Sequence, residues 1–336
     1  MYSQLRFEIH ESTQVPEARR MASELATRLG FSEVESGEVA LAVTEAGTNL
    51  VKHAQQGELL VRAIQQGDSA GVEMLALDHG PGIADVAQSL RDGFSTAGSP
   101  GTGLGALSRI ADQFDIYSLP GKGTVLRAAL WGGEAKRVAA GLEIGVVCQP
   151  KEGEEVSGDD WGLSEQPRKY TIGVADGLGH GPDAHRAART AIQTLLRHPA
   201  AGPAAVLESM HNATRGTRGA AVAVCELDLS QQLCRFAGVG NIGCAVIVDA
   251  KARHMVSHNG IVGHSIRKIQ EFSAPWPDHA ILVMHSDGLA TQWDVAAYPG
   301  LSSRHPALIA AVLYRDFSRQ RDDVTVLVAK QRSAAP

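Results

Sequence analysis

The sequence predicts an α+β protein of two domains, and three observations lead to this prediction. The 336 residues exceed the roughly 250–300 residues at which a single hydrophobic core stops growing. A polar, glycine-led stretch, GGEAKR at 132–137, has the composition of a linker. The order of predicted elements changes there, from mixed helices and strands to a series of strand-like runs. We therefore expect domains over 1–131 and 141–330, a linker over 132–140 and a tail over 331–336.

Apolar periodicity gives the elements of the first domain. The predicted bounds are strand Leu5–Ile9, helix Pro16–Leu29, helix Glu33–His53, strands Glu58–Ile64 and Gly71–Leu77, helices Asp85–Leu90 and Leu104–Ala111, and strands Phe114–Leu119 and Thr124–Trp131. This order favours a mixed sheet that is covered by helices on one face.

Strand-like apolar runs dominate the second domain, and two helical stretches lie together in its middle. The strands are predicted at Leu142–Cys148, Tyr170–Ala175, Ala220–Leu227, Leu233–Val239, Cys244–Val248, Ala280–His285 and Val324–Val328. The helices are predicted at Pro182–Leu196 and Pro203–Ala213. We therefore expect a β-rich layered domain with a helical pair packed on a sheet.

The composition excludes several classes of protein. The first 131 residues carry ten Lys and Arg against sixteen Asp and Glu, and the remainder carries twenty-one of each, so the basic stripe that binds nucleic acid is missing. No apolar run approaches the roughly 20 residues of a membrane span, and the first residues lack the pattern of a signal peptide. The four cysteines form no CxxC pair, so we expect reduced, buried thiols in a cytoplasmic protein.

Three boxes in the first domain carry residues suited to nucleotide chemistry. TEAGTN on the second helix places Glu45 and Asn49 at i and i+4, so both side chains project from one face. They flank an apolar stripe formed by Val39, Val43, Ala46 and Leu50. A carboxylate beside an amide suits a divalent cation with an attacking group next to it. The loop DHGPGI at 78–83 follows a strand, and GTGLG at 101–105 opens a helix, where backbone amides bind phosphate.

Each box alone also has a plain structural explanation, because such polar pairs usually form solvated helix edges and glycines serve turns with positive φ. In their order and spacing, the boxes resemble the GHKL ATPase/kinase fold and, within it, the small serine kinases of bacterial partner switching, the RsbT type. The resemblance covers about residues 4–131 and rests on DHGPGIADVAQSLRDGFSTAG, GTGLGALSRIADQFDIYS and GKGT. It implies a GHKL (Bergerat-type) α/β sandwich that binds ATP with Mg²⁺.

The resemblance also implies a role for individual residues. Asn49 would help to coordinate Mg²⁺ on the ATP phosphates, and Glu45 would be the base for the attacking hydroxyl. Asp78 would accept from the adenine amino group, and Gly82 would leave room for the ring. The remaining contacts would come from Thr124 in the adenine pocket and from Gly101, Gly103 and Gly105 around the phosphates.

Four acidic stretches in the second domain each adjoin an apolar strand. They are SGDDW at 157–161, VADGLGHG at 174–181, SDGL at 286–289 and RDDVTVLV at 321–328. A single Asp-Gly is usually a plain turn, but converging carboxylates from four strand ends would form a hard-cation site. We therefore expect Mg²⁺ or Mn²⁺ to bind in this domain.

These stretches resemble those of the metal-dependent PPM phosphatases, in the SpoIIE/RsbX branch, over about residues 141–330. The resemblance implies a PPM-type α/β/β/α layered fold with two metal ions. Asp176 would bridge the ions, and the carbonyl of Gly177 would ligate one of them. The shell of the second ion would be completed by Asp159, Asp287 and Asp322. For Asp160 and Asp323, ligation through water and a supporting role behind the ligands both remain open.

Two such ions about 3.5–4 Å apart lower the pKa of a bridging water, which then attacks phosphoserine or phosphothreonine in line without a covalent intermediate. His180 is left open between protonating the leaving alkoxide and hydrogen-bonding the backbone of its glycine turn. The arginine that binds phosphate in many eukaryotic members has no clear counterpart, so the metals are expected to carry the substrate phosphate.

The combined interpretation is a bifunctional regulator of a partner-switching pathway, of the kind used in stress responses. An ATP-binding, serine-kinase-like domain would be fused to a protein serine/threonine phosphatase. By analogy with the families, the partners are STAS-domain antagonist or stressosome-type proteins, and an anti-sigma factor and a homodimer are left open. Two alternatives remain. In one, the N-terminal domain only senses ATP or binds a partner, and Glu45 has no catalytic role. In the other, both sites are degenerate, but the intact acidic set speaks against such a scaffold.

Overall fold

The structure, a computed structural model, describes residues 4–54, 56–91, 103–133, 141–198 and 201–332. The chain divides into two compact units. One comprises the residues up to 138 together with Ser303–Arg315, and the other comprises 139–302 and the residues from Asp316 onward. The domain boundaries drawn from the sequence stay a prediction, and they differ from this division in the placement of Ser303–Arg315.

The N-terminal part of the first unit contains one antiparallel sheet and its covering helices. Its elements are β1 (Leu5–Ile9), α1 (Val15–Arg28), α2 (Glu33–His53), β2 (Gly57–Gln66), β3 (Ser69–Leu77), α3 (Val86–Ser89), α4 (Gly103–Ile110), β4 (Gln113–Ser118) and β5 (Thr124–Trp131). The strand order is β1-β2-β3-β5-β4, and each neighbouring pair is antiparallel. The predicted mixed sheet is therefore wrong. The helix pair α1 and α2 returns the chain to the end of the sheet that it left, whereas a single crossover helix would make β2 parallel to β1.

Helix α2 begins at a capping box and points its predicted stripe into the core. Ser32 Oγ accepts the N–H of Glu35 at 3.3 Å, and the Glu35 carboxylate accepts the N–H of Ser32 at 2.7 Å. The stripe residues Val39, Val43, Ala46 and Leu50 are buried in one cluster with residues of the sheet. This orientation leaves Glu45 and Asn49 half-buried at the edge of the helix.

A buried ionic cluster crosses the same sheet at Glu73 on β3. Its Oε2 accepts from Arg62 Nε on β2 at 2.7 Å, and its Oε1 accepts from Arg127 Nε on β5 at 2.7 Å. Burial alone would raise the pKa of Glu73, but the two guanidinium groups lower it to about 2. The carboxylate therefore stays ionised inside the fold across the ordinary pH range.

The second unit is built around two five-stranded sheets, and β13 and β14 form a small two-stranded sheet beside them. The elements from residue 141 onward are β6 (Leu142–Gln149), β7 (Asp159–Gln166), β8 (Lys169–Gly177), α5 (Pro182–Arg197), α6 (Pro203–Ala213), β9 (Ala220–Asp228), β10 (Leu233–Val239), β11 (Gly243–Val248), β12 (Lys251–His254), β13 (Gly260–Ile261), β14 (Ser265–Ile266), β15 (Glu271–Pro275), β16 (Ile281–His285), α7 (Pro306–Phe317) and β17 (Val324–Gln331). One sheet has the order β15-β10-β9-β8-β7 and the other β12-β11-β16-β17-β6.

Strand β9 shows how the layers of the second unit pack. Alternate side chains face opposite sides of a strand. Ala223 and Cys225 belong to the core that the two sheets share, whereas Val222 and Val224 pack with residues of α5 and α6. The helical pair on a sheet and the two-domain α+β fold class are thus confirmed.

Helix α7, which the sequence did not predict, belongs to the first unit over most of its length. Its stretch Ala307–Leu313 is apolar and fully buried, so it lacks the one-sided periodicity by which a helix is recognised. Tyr314 Oη donates to Glu58 Oε1 at 2.9 Å, and Arg315 Nη1 donates to the carbonyl of Asp78 at 3.2 Å. This helix therefore forms part of the surroundings of the Asp78 loop.

Two expectations from composition concern cysteines and membranes. All four cysteines are free thiols, of which Cys225, Cys234 and Cys244 are buried and Cys148 is half-buried. Within the described ranges, no helix combines the length and the apolarity that crossing a membrane requires.

Candidate functional site

The loop after β3 is organised by the carboxylate of Asp78. Asp78 Oδ1 accepts the backbone N–H of Gly80 at 2.6 Å and that of Thr124 at 3.3 Å. The N–H of Asp78 donates to the carbonyl of Thr124 at 3.0 Å. Burial raises the pKa of Asp78, and the two backbone hydrogen bonds oppose this rise. A fixed, half-buried carboxylate thus lies where the glycine loop meets β5.

Two positions around this loop require glycine. Gly82 has φ +73°, and a Cβ there would lie 2.1 Å from the carbonyl oxygen of Leu119. Gly123 has φ +79°, and a Cβ there would lie 2.0 Å from the carbonyl oxygen of Asp78. Backbone approaches this close exclude any side chain. The close approach of the β4–β5 turn therefore explains why residue 82 is a glycine. Its role in leaving room for the adenine ring stays a prediction.

The start of α4 packs directly on the polar pair of α2. A Cβ on Gly103 would lie 3.0 Å from Asn49 Oδ1 and 3.2 Å from Glu45 Oε2. Asn49 Nδ2 is buried and has no hydrogen-bond partner among the described residues. Gly105 is buried in α4, and Gly101 lies outside the described residues. The structure therefore brings Gly103 of the GTGLG box against Glu45 and Asn49 of the TEAGTN box, and the roles of these residues stay a prediction.

Sequence reasoning missed Ser118 and Arg315 near this loop. Ser118 Oγ lies 2.9 Å from Thr124 Oγ1 and accepts the N–H of Ile83 at 2.7 Å, so it ties the glycine loop to β5. Arg315 donates to the backbone of Asp78 from α7. Ser118 ends the stretch GTGLGALSRIADQFDIYS, but no role was predicted for it, and Arg315 belongs to no motif. The fold brings both residues to the loop.

Carboxylates from four stretches meet at one end of the sheets in the second unit. Asp159 begins β7 and is the direct cross-strand partner of Asp176 on β8. Asp287 follows β16, while Asp322 and Asp323 precede β17. Burial raises the pKa of Asp176, and the negative charges of the other four carboxylates raise it further. Each of these four carboxylates therefore lies within electrostatic range of Asp176.

The chemistry of this set fits a divalent cation. Burial raises the pKa of Asp159, and its Oδ1 is buried without a hydrogen-bond partner among the described residues. A buried carboxylate oxygen of this kind is costly unless a cation or a donor meets it. In the part of the chain that the structure describes, no three acidic, histidine or cysteine side chains are close enough to hold a metal by themselves. The set is therefore an open array of oxygen donors.

Asp160 and Asp323 are held by other groups. Asp160 Oδ1 accepts the N–H of Trp161 at 2.9 Å, and Oδ2 pairs with Arg189 Nη1 at 3.3 Å. Asp323 Oδ1 accepts the N–H of Lys151 at 3.0 Å. These contacts favour a supporting role for Asp160, since both of its oxygens are engaged. Asp323 Oδ2 is buried without a hydrogen-bond partner among the described residues, so both roles stay open for Asp323.

The loop after β8 carries Gly177 and His180. Gly177 donates its N–H to the carbonyl of Gly158 at 3.1 Å, which joins the loop to the SGDDW stretch. His180 is half-exposed, and its Nδ1 hydrogen-bonds the carboxylate of Glu154. Its observed partner is thus a carboxylate side chain, which sequence reasoning had not singled out.

Two further polar residues hold the acidic set, and neither was predicted. Ser286 Oγ donates to Asp159 Oδ2 at 2.6 Å and accepts the N–H of Thr325 at 2.9 Å. Asn241 Nδ2 donates to Asp287 Oδ2 at 2.7 Å. Ser286 directly precedes Asp287 in SDGL, which is the one signal that could have drawn attention to it.

Comparisons with known proteins relate each half of the chain to a different family. Residues 10–130 match the histidine kinase-like ATPase domain, and residues 166–332 match stage II sporulation protein E (SpoIIE). The chain is 33% identical over 114 residues to the serine/threonine-protein kinase RsbT of Bacillus subtilis (strain 168), covering 34% of this chain and 86% of RsbT. It is 23% identical over 141 residues to the phosphoserine phosphatase RsbX of the same organism, covering 41% of this chain and 70% of RsbX.

A solved structure from work on the bacterial stressosome superposes with a TM-score of 0.54 at 28% identity, covering 56% of this chain and 100% of that chain. The two matched segments contain the two sets of site residues, apart from the SGDDW stretch, which precedes residue 166. The chain therefore belongs to the RsbT-like branch of the histidine kinase-like ATPases through its N-terminal domain, to which a SpoIIE-type phosphatase domain is fused.

Proposed function

We propose that the C-terminal domain dephosphorylates phosphoserine or phosphothreonine on a partner protein, and that the N-terminal domain binds ATP and phosphorylates a partner serine. The observation that carries the phosphatase half is the meeting of Asp159 and Asp176 with Asp287 and the acidic pair before β17. An oxygen-only donor set of this kind is suited to Mg²⁺ or Mn²⁺.

The ligands in this proposal are Asp176 and the carbonyl of Gly177, with Asp159, Asp287 and Asp322 completing the set. When bound, two divalent cations supply an activated water and neutralise the charge of the phosphate. The protein holds its carboxylates ready for this task, since Ser286 orients Asp159 and Asn241 orients Asp287. These hydrogen bonds fix one carboxylate oxygen of Asp159 and one of Asp287 before any cation binds.

His180 is the proposed donor of a proton to the leaving serine oxygen. Glu154 engages Nδ1 of its ring, so Nε2 is the atom that would act. The half-exposed position of His180 leaves it within reach of a phosphorylated segment of a protein.

The nucleotide half rests on the contact of Gly103 with Asn49 and Glu45. Asn49 Oδ1 would ligate Mg²⁺ on the phosphates, and its buried Nδ2 would donate to a phosphate oxygen. Glu45 lies beside it as the candidate base. Both backbone hydrogen bonds of Asp78 fall on Oδ1, so Oδ2 is the oxygen proposed to accept from the adenine amino group.

The proposed partners are STAS-type antagonists or stressosome-type proteins, a proposal supported by the likeness to RsbT and to the stressosome structure. The test incubates the purified chain with a STAS protein phosphorylated on serine and follows its mass with and without Mn²⁺ or Mg²⁺. We expect loss of one phosphate that depends on the cation. A phosphorylated partner that binds the chain but keeps its phosphate with both cations contradicts the phosphatase assignment.

A further inference from the structure

Arg218 lies directly beside the loop that follows Asp176. The start of β9 pairs with the end of β8, so that Ala220 is opposite Gly177 and Ala221 is opposite Asp176. The N–H of Leu178 donates to the carbonyl of Gly219 at 3.0 Å. The residue before Gly219 is therefore fixed next to the acidic site by strand pairing.

The turn that carries Arg218 is itself well ordered by hydrogen bonds. Thr217 Oγ1 donates to the carbonyl of Thr214 at 2.7 Å and accepts the N–H of Gly219 at 3.0 Å. The backbone on both sides of Arg218 is thus held. A long side chain anchored in this way loses less freedom when it binds a ligand than one on an unsupported loop.

The guanidinium group of Arg218 lies against the loop that follows β8. A Cβ on Gly179 would lie 3.1 Å from Arg218 Nη1, so the cation packs where this glycine has no side chain. Arg218 Nη2 lies 3.2 Å from Asp183 Oδ2, and the side chain is half-exposed. Asp183, near the start of α5, thereby holds the guanidinium against the loop.

Asp183 is a single anion beside two cationic side chains, so a second anion can bind near them. Asp183 also pairs with Arg186, whose Nη2 lies 3.2 Å from Asp183 Oδ1. One carboxylate thus lies between two guanidinium groups. Each guanidinium carries five N–H donors in a planar fork, and this fork matches the oxygens of a phosphate. The three side chains therefore carry one uncompensated positive charge, which would attract an anionic phosphate beside Gly179.

We propose that Arg218 binds the phosphate group of the phosphoprotein substrate next to the acidic site, with Asp183 positioning its guanidinium. This inference rests on the proposed phosphatase function and extends it to recognition of the substrate. It replaces the expectation that the metals alone carry the phosphate. Arg186 shares Asp183 but lies one helical turn along α5 and is 63% exposed, so it serves as the matched control.

The test compares the full-length wild type with Arg218→Met, Arg218→Lys and Arg186→Met, using p-nitrophenyl phosphate with saturating Mn²⁺. We expect Arg218→Met to raise both KM and the inhibition constant of inorganic phosphate by about 10- to 100-fold, the usual loss for a hydrogen bond to a charged group. Arg218→Lys should fall between Arg218→Met and the wild type. Arg186→Met should stay within about two-fold of the wild type.

A role confined to bracing the loop would give a different pattern. In that case the Mn²⁺ concentration for half-maximal activity or the thermal midpoint would shift, while the inhibition constant of phosphate would not, and the assignment would be overturned. The assignment would also be overturned if Arg218→Met left both KM and the inhibition constant of phosphate within two-fold of the values for an active wild type. A wild type without any cation-dependent phosphoesterase activity would instead overturn the proposed function, and the assignment with it.

Discussion

Asp159 and Asp176 are direct partners across the antiparallel pair β7 and β8, so two carboxylates with raised pKa values face one another at the rim of a sheet. Cross-strand neighbours of like charge destabilise a sheet unless another group compensates them. The arrangement therefore favours cation binding over stability of the metal-free fold.

Asp176→Asn should reduce hydrolysis of a phosphoserine substrate by more than about 100-fold, because a neutral amide would be a poor substitute for the carboxylate that we propose as a metal ligand. The same substitution removes one of the repelling charges, so the metal-free variant should be at least as thermally stable as the metal-free wild type. Activity at saturating Mn²⁺ within a few-fold of the wild type would remove Asp176 from the site. The thermal midpoint checks the second expectation independently of activity.

Ser286→Ala should raise the Mn²⁺ concentration for half-maximal activity by about 10- to 100-fold, since Ser286 orients Asp159 through a 2.6 Å hydrogen bond. The matched control is Ser230→Ala, which removes a similar hydroxyl contact with Asp228 at a turn elsewhere. Titration of phosphatase activity with Mn²⁺ measures both variants. An unchanged midpoint for Ser286→Ala would mean that Asp159 holds its position without this contact.

Asp78→Asn should weaken ATP binding by about 10-fold or more and leave turnover of a small phosphate ester unchanged. The amide can place its NH₂ toward the N–H groups of Gly80 and Thr124, where a carboxylate oxygen now accepts. Asp85→Asn is the control, because Asp85 caps α3 from an exposed position in the same segment. Equal ATP affinities for Asp78→Asn and the wild type by calorimetry would count against the nucleotide assignment.

Glu45→Ala should keep ATP binding and cut phosphoryl transfer to a partner serine by about 10²–10⁴-fold, the usual contribution of a positioned base. Asn49→Ala should instead weaken binding of Mg-ATP itself, since it removes a ligand of the cation. Both are measured in the Asp176→Asn background, where the phosphatase does not erase the product. If that background protein transfers no phosphate to a partner that it binds, the N-terminal domain is an ATP-binding module and Glu45 has no catalytic role.

Glu73→Gln should destabilise the N-terminal sheet by about 3–5 kcal/mol, because it leaves two buried guanidinium groups without their shared carboxylate. The pKa of Glu73 is about 2 in the folded chain and about 4.3 when unfolded. The carboxylate therefore contributes fully above pH 4.3, and its contribution is lost as the pH falls toward 2. Hydrogen exchange of the β3 and β5 amides at neutral pH measures the effect. Glu8→Gln, at an exposed glutamate that pairs with Arg6, should leave these amides unchanged.

Much of the arrangement could be predicted, because periodicity and motifs are local signals. The stripe of α2 follows from residues spaced by three and four, and it places Glu45 and Asn49 on one edge. The acidic stretches could be located because each follows or precedes an apolar run. The direction of β2 could not be obtained in this way, since strand pairing depends on how α1 and α2 reverse the chain.

The features that were missed each have a physical cause. Helix α7 is apolar on all sides over Ala307–Leu313, so it lacks the alternation of apolar and polar faces that predicts a helix. Strand β7 begins with two acids, and its edge position leaves Glu165 exposed, so it reads as a loop. Ser286, Asn241 and Arg218 are single polar residues whose partners lie far away in the chain, and only the folded backbone brings each pair together.

Helix α7 also limits how the gene can be divided into fragments that each encode a whole unit. The ATPase-like unit is discontinuous, because Ser303–Arg315 joins it after more than a hundred residues of phosphatase sequence. A fragment that stops at the linker would lose the Tyr314 contact with Glu58 and the Arg315 contact with the Asp78 backbone. The two units are thus encoded as interleaved rather than tandem segments, and an exchange of one half between related genes would carry a piece of the other with it.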